Sequence, residues 1–241
     1  MIKLFRFIYT LWALLVFHVF MIILFPFFII PPLLHKRGNV LSWKAIRLWS
    51  LIFSSLNRII YKIEGQENIS KDENYVFIVN HTSFLDSPAL PQAINRPFRA
   101  LAKKELTKIP IFGFIVKMVT VVVDRSSPES RQKSKQRLNR VLNEESSILV
   151  FPEGTMNRTA EVLQPFYDGA FRIAIDAQVK IIPIVVKGAA KLMRPSSLLM
   201  SPGKIKVKVL PPVDTSSYTQ KEQKSLKEKI RAQMIEELQS A

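Results

Sequence analysis

The pattern of apolar and polar positions divides the chain into a long uncharged segment and a remainder of short alternating runs. The uncharged segment lies between Arg6 and Lys36 and holds 29 residues without one formal charge. About 20 apolar residues are enough to cross the hydrocarbon core of a bilayer. The pattern therefore predicts an N-terminal membrane-embedded helical motif.

The prolines and the flanking charges predict how this motif lies in the membrane. Pro26, Pro31 and Pro32 are expected to end or kink a first helix near Phe25. Basic residues flank the segment on both sides, and the positive-inside rule then draws both ends to the cytoplasmic leaflet. We expect a helix that enters one leaflet and returns, followed by an amphipathic piece over residues 41–61. A single membrane-spanning anchor is the alternative.

Beyond residue 62, short β-branched runs alternate with helical stretches. The predicted strands are 75–79, 98–101, 120–123, 148–151, 181–186 and 205–210, and the predicted helices are 87–94, 104–118, 129–144, 166–178 and 219–239. Such alternation is typical of an α/β fold. We therefore predict a largely parallel sheet flanked by helices over residues 63–241, preceded by membrane-anchoring helices over residues 1–62.

The charge of the chain is high and unevenly distributed. Thirty-five Lys and Arg stand against 19 Asp and Glu, which gives a formal net charge of +16. The first 63 residues contain eight basic residues and no acidic one, so half of the excess lies in about a quarter of the chain. This predicts anionic partners, and for the N-terminal segment it predicts anionic membrane lipids. The absence of cysteine excludes disulfide scaffolds, cysteine-ligated metal sites and thiol catalysis.

The first predicted strand of the α/β region runs into the sequence NHTSFLD at residues 80–86. Ligands of parallel sheets bind at the carboxyl ends of the strands, so this block is a candidate site. On a regular helix His81 and Asp86 would be about 140° apart, and they can meet only if His81 lies in the loop and Asp86 in the first helical turn. A carboxylate that holds one imidazole nitrogen leaves the other free to take a proton from a hydroxyl group.

Two helix starts are compatible with this geometry, and a purely structural interpretation also exists. Ser83 can be the N-cap with Asp86 at N3, or Ser87 can be the N-cap with Pro88 at N1. Alternatively, Ser83 and Asp86 form an ordinary capping box and His81 only satisfies a buried carbonyl group.

A second block, FPEGT at residues 151–155, follows another predicted strand with a glycine-containing turn. Together the NHTSFLD and FPEGT blocks closely resemble the glycerophospholipid acyltransferase family, in particular its lysophosphatidic acid acyltransferases. Two weaker blocks match as well, in family order: KKEL at 103–106 with IPIFG at 109–113 and VDR at 123–125, and IIPIV at 181–185. The resemblance covers about residues 64–186.

This resemblance implies a fold like that of glycerol-3-phosphate acyltransferase and a set of site residues. It implies that His81 is the general base and that Asp86 orients it. The residues expected to bind substrate are Lys104, Arg125, Glu153, Gly154, Thr155 and Arg158. Lys104, Arg125 and Arg158 are expected to meet the acceptor phosphate, because each stands after a candidate strand at the same sheet edge. Lys103 competes with Lys104, since adjacent residues cannot both point inward. Glu153 either fixes the FPEGT loop or binds the acceptor glycerol, and the alternative is that it is simply an N-terminal helix residue. No metal and no cofactor are expected.

The sequence departs from the family pattern at one informative position. The family usually has arginine directly after PEGT, whereas this chain has Met156, and the nearest guanidinium belongs to Arg158. Because arginine recognises phosphate by geometry as well as by charge, this departure weakens the transfer of acceptor identity.

The implied activity is that of a membrane-bound enzyme of phospholipid biosynthesis. It would transfer an acyl group from acyl-CoA or acyl carrier protein to the free hydroxyl of 1-acylglycerol-3-phosphate, giving phosphatidic acid, at the cell membrane with the active site on the cytoplasmic face. The alternatives are another lysophospholipid or aminolipid acceptor, a lipid hydrolase that uses His81, and a membrane-tethered polyanion-binding protein. No nucleic acid partner is expected, because the aromatic residues are concentrated in the first third of the chain.

Overall fold

A seven-stranded sheet forms the centre of the computed structural model, which describes residues 2–35, 38–108, 116, 120–123 and 127–240. The strands are β1 (Ile59–Glu64), β2 (Val76–Val79), β3 (Phe98–Lys103), β4 (Thr120–Val123), β5 (Ser147–Val150), β6 (Ile181–Lys187) and β7 (Gly203–Val209). Their order in the sheet is β1-β7-β6-β2-β5-β3-β4. All neighbours are parallel except β6 and β7, so the predicted largely parallel α/β fold is confirmed.

Helices cover both faces of this sheet. They are α1 (Ile2–Leu34), α2 (Gly38–Leu56), α3 (Asp86–Ala93), α4 (Pro128–Arg140), α5 (Gly169–Ala177), α6 (Ala189–Leu192) and α7 (Gln223–Gln239). The six predicted strands all occur, with ends within two residues of those expected. The predicted helix 104–118 begins as a 3₁₀ turn over Lys104–Lys108, and most of its remainder lies outside the described residues.

Strand β1 was not predicted, and the expected domain boundary after residue 62 falls inside it. The amphipathic piece expected over residues 41–61 ends as helix α2 at Leu56, and Arg58 then turns the chain with a φ of 49°. In β1 the outward side chains alternate with inward ones, which is a period of two rather than a helical period. The strand pairs in parallel with β7, so residues 59–62 belong to the sheet.

The prolines were expected to end or kink α1 near Phe25, and of these two outcomes the helix end is wrong, because α1 continues through all three prolines to Leu34. A proline has no N–H, so Pro32 leaves the carbonyl of Phe28 without its helical donor. The hydroxyl of Ser42, on α2, donates to that carbonyl at 2.9 Å. Helix packing therefore supplies the hydrogen bond that the proline removes. The close approach also requires Gly38, where a Cβ atom would stand 1.9 Å from the carbonyl oxygen of Pro31.

The two faces of the sheet carry separate hydrophobic cores. Helices α1, α2 and α3 pack on one face, where Trp49 and Phe53 share a core with Ile205 and Val207 of β7. Helices α4, α5 and α7 pack on the other face. The N-terminal helices are therefore built into the same core as half of the sheet.

The outward side of α1 remains apolar and exposed. Side chains such as Leu11, Ile22 and Ile23 are more than half exposed on this side. Within the described part of the chain, α1 is the one helix long and apolar enough to cross a membrane, with a mean hydropathy of 2.8. About a fifth of its most apolar window is buried in the protein. The predicted apolar N-terminal helix is thus present, and its composition is that of a membrane-associated helix.

Candidate active site

The candidate site begins at the carboxyl end of β2, the central strand of the sheet. Asn80 follows the strand and is fully buried. Its side-chain amide donates to the carbonyl of Val186 at 2.9 Å, and its side-chain oxygen accepts from the N–H of Val186 at 2.7 Å. Asn80 thereby fixes the end of β2 against β6. The next residue, His81, starts the loop from a rigid point.

His81 and Asp86 form the predicted pair. The Nδ1 atom of His81 lies 3.0 Å from Oδ2 of Asp86. Asp86 is completely buried, whereas 16% of the His81 side chain is exposed. With Nδ1 donating to the carboxylate, the neutral imidazole presents its lone pair on Nε2. The arrangement can remove a proton from a hydroxyl group brought to Nε2.

Helix α3 begins two residues after the start predicted from Ser83 and two residues before the start predicted from Ser87. Asp86 is its first residue and Leu85 is the N-cap, without a side-chain capping bond. The carboxylate reaches backward instead, and its Oδ2 accepts from the N–H groups of Thr82 at 2.7 Å and Ser83 at 2.8 Å. The helix thus begins between the two predicted starts, with Leu85 rather than Ser83 or Ser87 as its N-cap.

The hydroxyl of Ser83 supplies one half of the capping box considered above, and Asp86, which accepts from the N–H of Ser83, supplies the other half. The Ser83 hydroxyl accepts from the N–H of Leu85 at 3.2 Å and donates to the carbonyl of Met193 at 2.8 Å. Ser83 is fully buried. It ties the His81 loop to the loop of residues 193–200 that follows α6.

The 193–200 loop is also held by helix α1. The guanidinium of Arg6 donates to the carbonyls of Leu199 at 2.9 Å and Leu192 at 3.4 Å. The hydroxyl of Thr10 accepts from the N–H of Met200 at 2.9 Å. Helix α1 thus holds the far end of this loop, and Ser83 in the candidate site holds its start.

Tyr61 contacts the turn that precedes Asp86. The Tyr61 hydroxyl, on β1, donates to the carbonyl of Leu85 at 3.1 Å. Burial raises the pKa of Tyr61 far above its usual range, and the nearby charge of Asp86 raises it further. The phenol therefore stays protonated at any physiological pH and keeps its hydrogen bond to the turn before Asp86.

Glu153 of the FPEGT block holds the backbone of the His81 loop. Its Oε1 accepts from the N–H of His81 at 3.0 Å, and its Oε2 accepts from the N–H of Gln164 at 2.9 Å. Glu153 is only 2% exposed. Burial raises the pKa of its carboxyl group above the usual value of 4.5, although the two N–H donors oppose the rise. This contact fits the loop-fixing role considered for Glu153, and the helix interpretation is wrong because residues 151–155 form turns.

Two further contacts join the FPEGT region to His81. The ring of Phe151 stacks on the imidazole with a centroid distance of 4.2 Å and an interplanar angle of 24°. The N–H of Asn157 donates to the carbonyl of His81 at 2.7 Å. Neither residue was singled out from the sequence, although Phe151 stands inside the quoted block. Their contacts orient the ring and close the backbone around it.

Gly154 and Thr155 complete the FPEGT turn. Gly154 has a φ of 74°, and its N–H donates to the carbonyl of Phe151 at 3.0 Å. A Cβ atom here would stand 2.7 Å from the ring of Tyr167. Both the backbone conformation and the close ring therefore require glycine. Thr155 is exposed, so its hydroxyl is open to a ligand.

Two of the three basic residues expected to meet a phosphate lie within the described part of the chain. Lys104 is exposed at the start of the 3₁₀ turn after β3, and Arg158 is exposed in the loop after FPEGT. Both follow strands parallel to β2 and so lie at the same sheet edge as His81. Arg125 lies outside the described residues. No group of three or more metal-binding side chains occurs among the residues that the structure describes.

Comparisons with known proteins agree with this geometry. The acyltransferase family model matches residues 60–187. A 1-acyl-sn-glycerol-3-phosphate acyltransferase of Saccharomyces cerevisiae is 30% identical over 208 residues, which cover 84% of this chain and 67% of that protein. The 1-acyl-sn-glycerol-3-phosphate acyltransferase alpha of Homo sapiens is 30% identical over 216 residues, which cover 88% of this chain and 76% of that protein.

The fold has a counterpart among solved structures. The crystal structure of a 1-acyl-sn-glycerophosphate acyltransferase from Thermotoga maritima superposes with a TM-score of 0.84 at 23% identity, covering 100% of this chain and 99% of that one. The likeness extends over the N-terminal helices as well as the sheet. Since the family model matches more than half of the residues and relatives at 30% identity cover most of the chain, this protein belongs to the acyltransferase family.

Proposed function

We propose that this enzyme transfers an acyl group from a thioester donor to the free hydroxyl of 1-acylglycerol-3-phosphate, giving phosphatidic acid. The observation that carries the proposal is the 3.0 Å contact between Nδ1 of His81 and Asp86. That contact leaves a basic Nε2 at the edge of the sheet. The acceptor is the one in the names of the yeast and human relatives.

The proposed reaction needs one proton transfer in each direction. Nε2 of His81 removes the proton of the acceptor hydroxyl while its oxygen attacks the thioester carbonyl carbon. The C–S bond then breaks, and the imidazolium returns the proton to the leaving thiolate, which departs as a thiol. Asp86 stabilises the imidazolium between these steps. No acyl-enzyme is required.

The other residues act by position or by charge. Glu153 and Phe151 hold the backbone and the ring of His81, so we assign them positioning roles. Lys104, Arg125 and Arg158 are proposed to meet the acceptor phosphate. Gly154 and Thr155 are proposed to face the acceptor at the turn. Met156, where the family usually has arginine, favours a second candidate acceptor with another headgroup.

We propose that the enzyme works on the cytoplasmic face of the cell membrane. The exposed apolar side of α1 would enter the bilayer, and the basic residues near it would contact anionic headgroups. The long-chain acceptor would then reach His81 from the lipid phase.

A panel of acceptors tests the proposal. The full chain in anionic vesicles should acylate 1-acylglycerol-3-phosphate with long-chain acyl-CoA or acyl carrier protein, and it should be far slower with monoacylglycerol. Faster turnover of a lysophospholipid with a larger headgroup would assign that acceptor instead. Release of free fatty acid without acceptor acylation would identify a hydrolase and overturn the proposal.

A further inference from the structure

Strand β7 has one apolar face and one lysine face. Its alternate residues Ile205, Val207 and Val209 are buried in the core with α1, α2 and α3. The intervening residues Lys204, Lys206 and Lys208 point to the opposite face of the sheet. Parallel sheets in α/β proteins are normally covered on both faces. Here the lysine face of β7 and the outward side chains of β1 are left open to water.

The strand register places three lysines in one row. Lys206 stands opposite Lys62 of β1 on one side and opposite Lys187 of β6 on the other. Residues opposite each other in a ladder point to the same face, and like charges in this position destabilise a sheet. A neighbouring residue on β1 is also apolar and half exposed, since Ile60 stands opposite Lys204. The sequence therefore keeps an arrangement that costs stability.

In the adjacent row of the sheet, acidic residues balance the lysine charge. Lys208 stands opposite Glu64 and forms an ion pair with Glu237 of α7 at 2.8 Å. Glu237 also pairs with Lys187 at 3.2 Å. The three exposed lysines Lys62, Lys204 and Lys206, which we call the lysine surface, have no hydrogen bond or ion pair to any residue that the structure describes.

Measured along the sheet, the lysine surface begins two strands from the candidate site. The amide of Asn80, next to His81, is bonded to Val186 of β6, and Val186 stands opposite Val207 of β7. Neighbouring strands are about 4.8 Å apart, so two strand spacings separate the backbone of β2 from that of β7 by about 10 Å. Lys206 is the direct neighbour of Val207 in sequence. An extended pantetheine arm spans this separation.

The position on the sheet restricts the possible anion. The N-terminal helices pack on the opposite face, so the exposed apolar side of α1 and the lysine surface lie on different faces of the sheet. The residues proposed for the acceptor phosphate, such as Lys104 and Arg158, follow β3 and β5 on the other side of the central strand. The remaining anionic substrate is the acyl donor, which arrives from water.

We propose that the lysine surface binds the phosphate groups of the acyl thioester donor. This inference rests on the proposed function, because it takes an acyl thioester as the donor. The phosphate is shared chemistry, since both coenzyme A and the phosphopantetheine arm of a carrier protein bear it. The backbone positions of these lysines are about 5–7 Å apart, at the spacings of neighbouring strands and alternate residues, so their flexible side chains can bring several ammonium groups to one phosphate-bearing ligand.

The test compares three donors in the full-length protein. The variant Lys62→Gln/Lys204→Gln/Lys206→Gln is assayed with acyl-CoA, acyl carrier protein and acyl-pantetheine, which lacks phosphate. We expect the KM for acyl-CoA and for the carrier to rise roughly tenfold at low salt, and the KM for acyl-pantetheine to change less than twofold. Lys208→Gln is the matched control on the same strand and should leave all three values unchanged.

Several results would overturn the proposal. One is an unchanged KM for both phosphate-bearing donors, and another is a rise in the KM for acyl-pantetheine equal to theirs. A third is a rise in KM for the carrier protein alone, which would indicate contact with its protein surface. Calorimetric binding of free coenzyme A to wild type and triple variant, without acceptor, separates this proposal from the proposed function. Weaker binding by the variant supports the lysine surface even if the acceptor is another lipid, and equal binding rejects it.

Discussion

The carboxylate of Glu153 accepts the backbone N–H of His81 at 3.0 Å, so a residue 72 positions downstream holds the loop that carries the imidazole. The same carboxylate binds Gln164, and the contact is almost fully buried. The two sequence blocks thus form one structural unit.

Replacing Glu153 by glutamine should therefore lower kcat without removing either block. An amide has one acceptor oxygen, so one of the two N–H donors loses its partner. Hydrogen bonds to a charged group contribute about 1.5–3 kcal/mol, which corresponds to a fall in kcat of about tenfold to a hundredfold if the full loss reaches the transition state. Steady-state acyl transfer measures it. Glu161→Gln, an exposed neighbour, is the control, and equal activities of Glu153→Gln and wild type would reject the positioning role.

The raised pKa of Glu153 also predicts a pH dependence of stability. The folded state binds the proton more tightly than the unfolded chain, so this group's favourable contribution is full below pH 4.5 and is lost as the pH rises through the folded pKa. Denaturant unfolding of wild type and Glu153→Gln measures the difference between their free energies of unfolding. This difference should change between pH 4.5 and the folded pKa of Glu153 and should be constant above that pKa. A difference independent of pH from 4 to 7 would contradict the shift.

The pair His81 and Asp86 should account for most of the catalytic rate. Removing a general base typically costs a factor of about 10² to 10⁴, so His81→Ala should be slower by about this much. Asp86→Asn should also lose activity, because a neutral amide lacks the negative charge that stabilises the imidazolium formed on His81. Sedimentation with vesicles should be unchanged in both variants. His18→Ala, in the exposed part of α1, is the control, and full activity of His81→Ala would refute the mechanism.

Helix α1 should contribute to activity through Arg6. Its guanidinium binds the carbonyls of Leu192 and Leu199 at the two ends of the loop that holds Ser83, and Arg6→Ala removes this donor from the partly buried carbonyl of Leu199. We expect a loss of about 1–3 kcal/mol in the free energy of unfolding and a lower kcat, with vesicle binding unaffected. Thermal unfolding and acyl transfer measure the two effects. Lys3→Ala, one turn earlier on the exposed side, should change neither; an equal loss in both variants would point to a general effect of charge.

The sheet and the central pair were predictable because both depend on local patterns. Short β-branched runs separated by helices give the parallel strands, and the spacing of His81 and Asp86 allows them to meet across a loop and a first helical turn. The N-cap was not predictable, since Asp86 satisfies loop amides whose directions depend on the folded loop.

Two other differences arose from contacts between distant residues. The helix through Pro32 depends on the hydroxyl of Ser42. Strand β1 forms because β7, almost 150 residues later, supplies its neighbour. The hold of Glu153 on His81 is of the same kind, because its two partners are separated by a long stretch of chain. The proposed phosphate role of Arg125 and the substrate contacts of the other site residues stay predictions.

Because Trp49 and Phe53 of the N-terminal hairpin share a core with β7, the anchor is not a flexible tether. Deletion of residues 1–62 would remove most of strand β1 and expose that core. A soluble catalytic fragment would therefore need polar substitutions of the core residues that the sheet would expose. The same rigidity fixes the height and tilt of His81 relative to α1. The enzyme would therefore meet its lipid in one orientation, with the depth of the reacting hydroxyl below the headgroups set by protein packing rather than by diffusion of a linker.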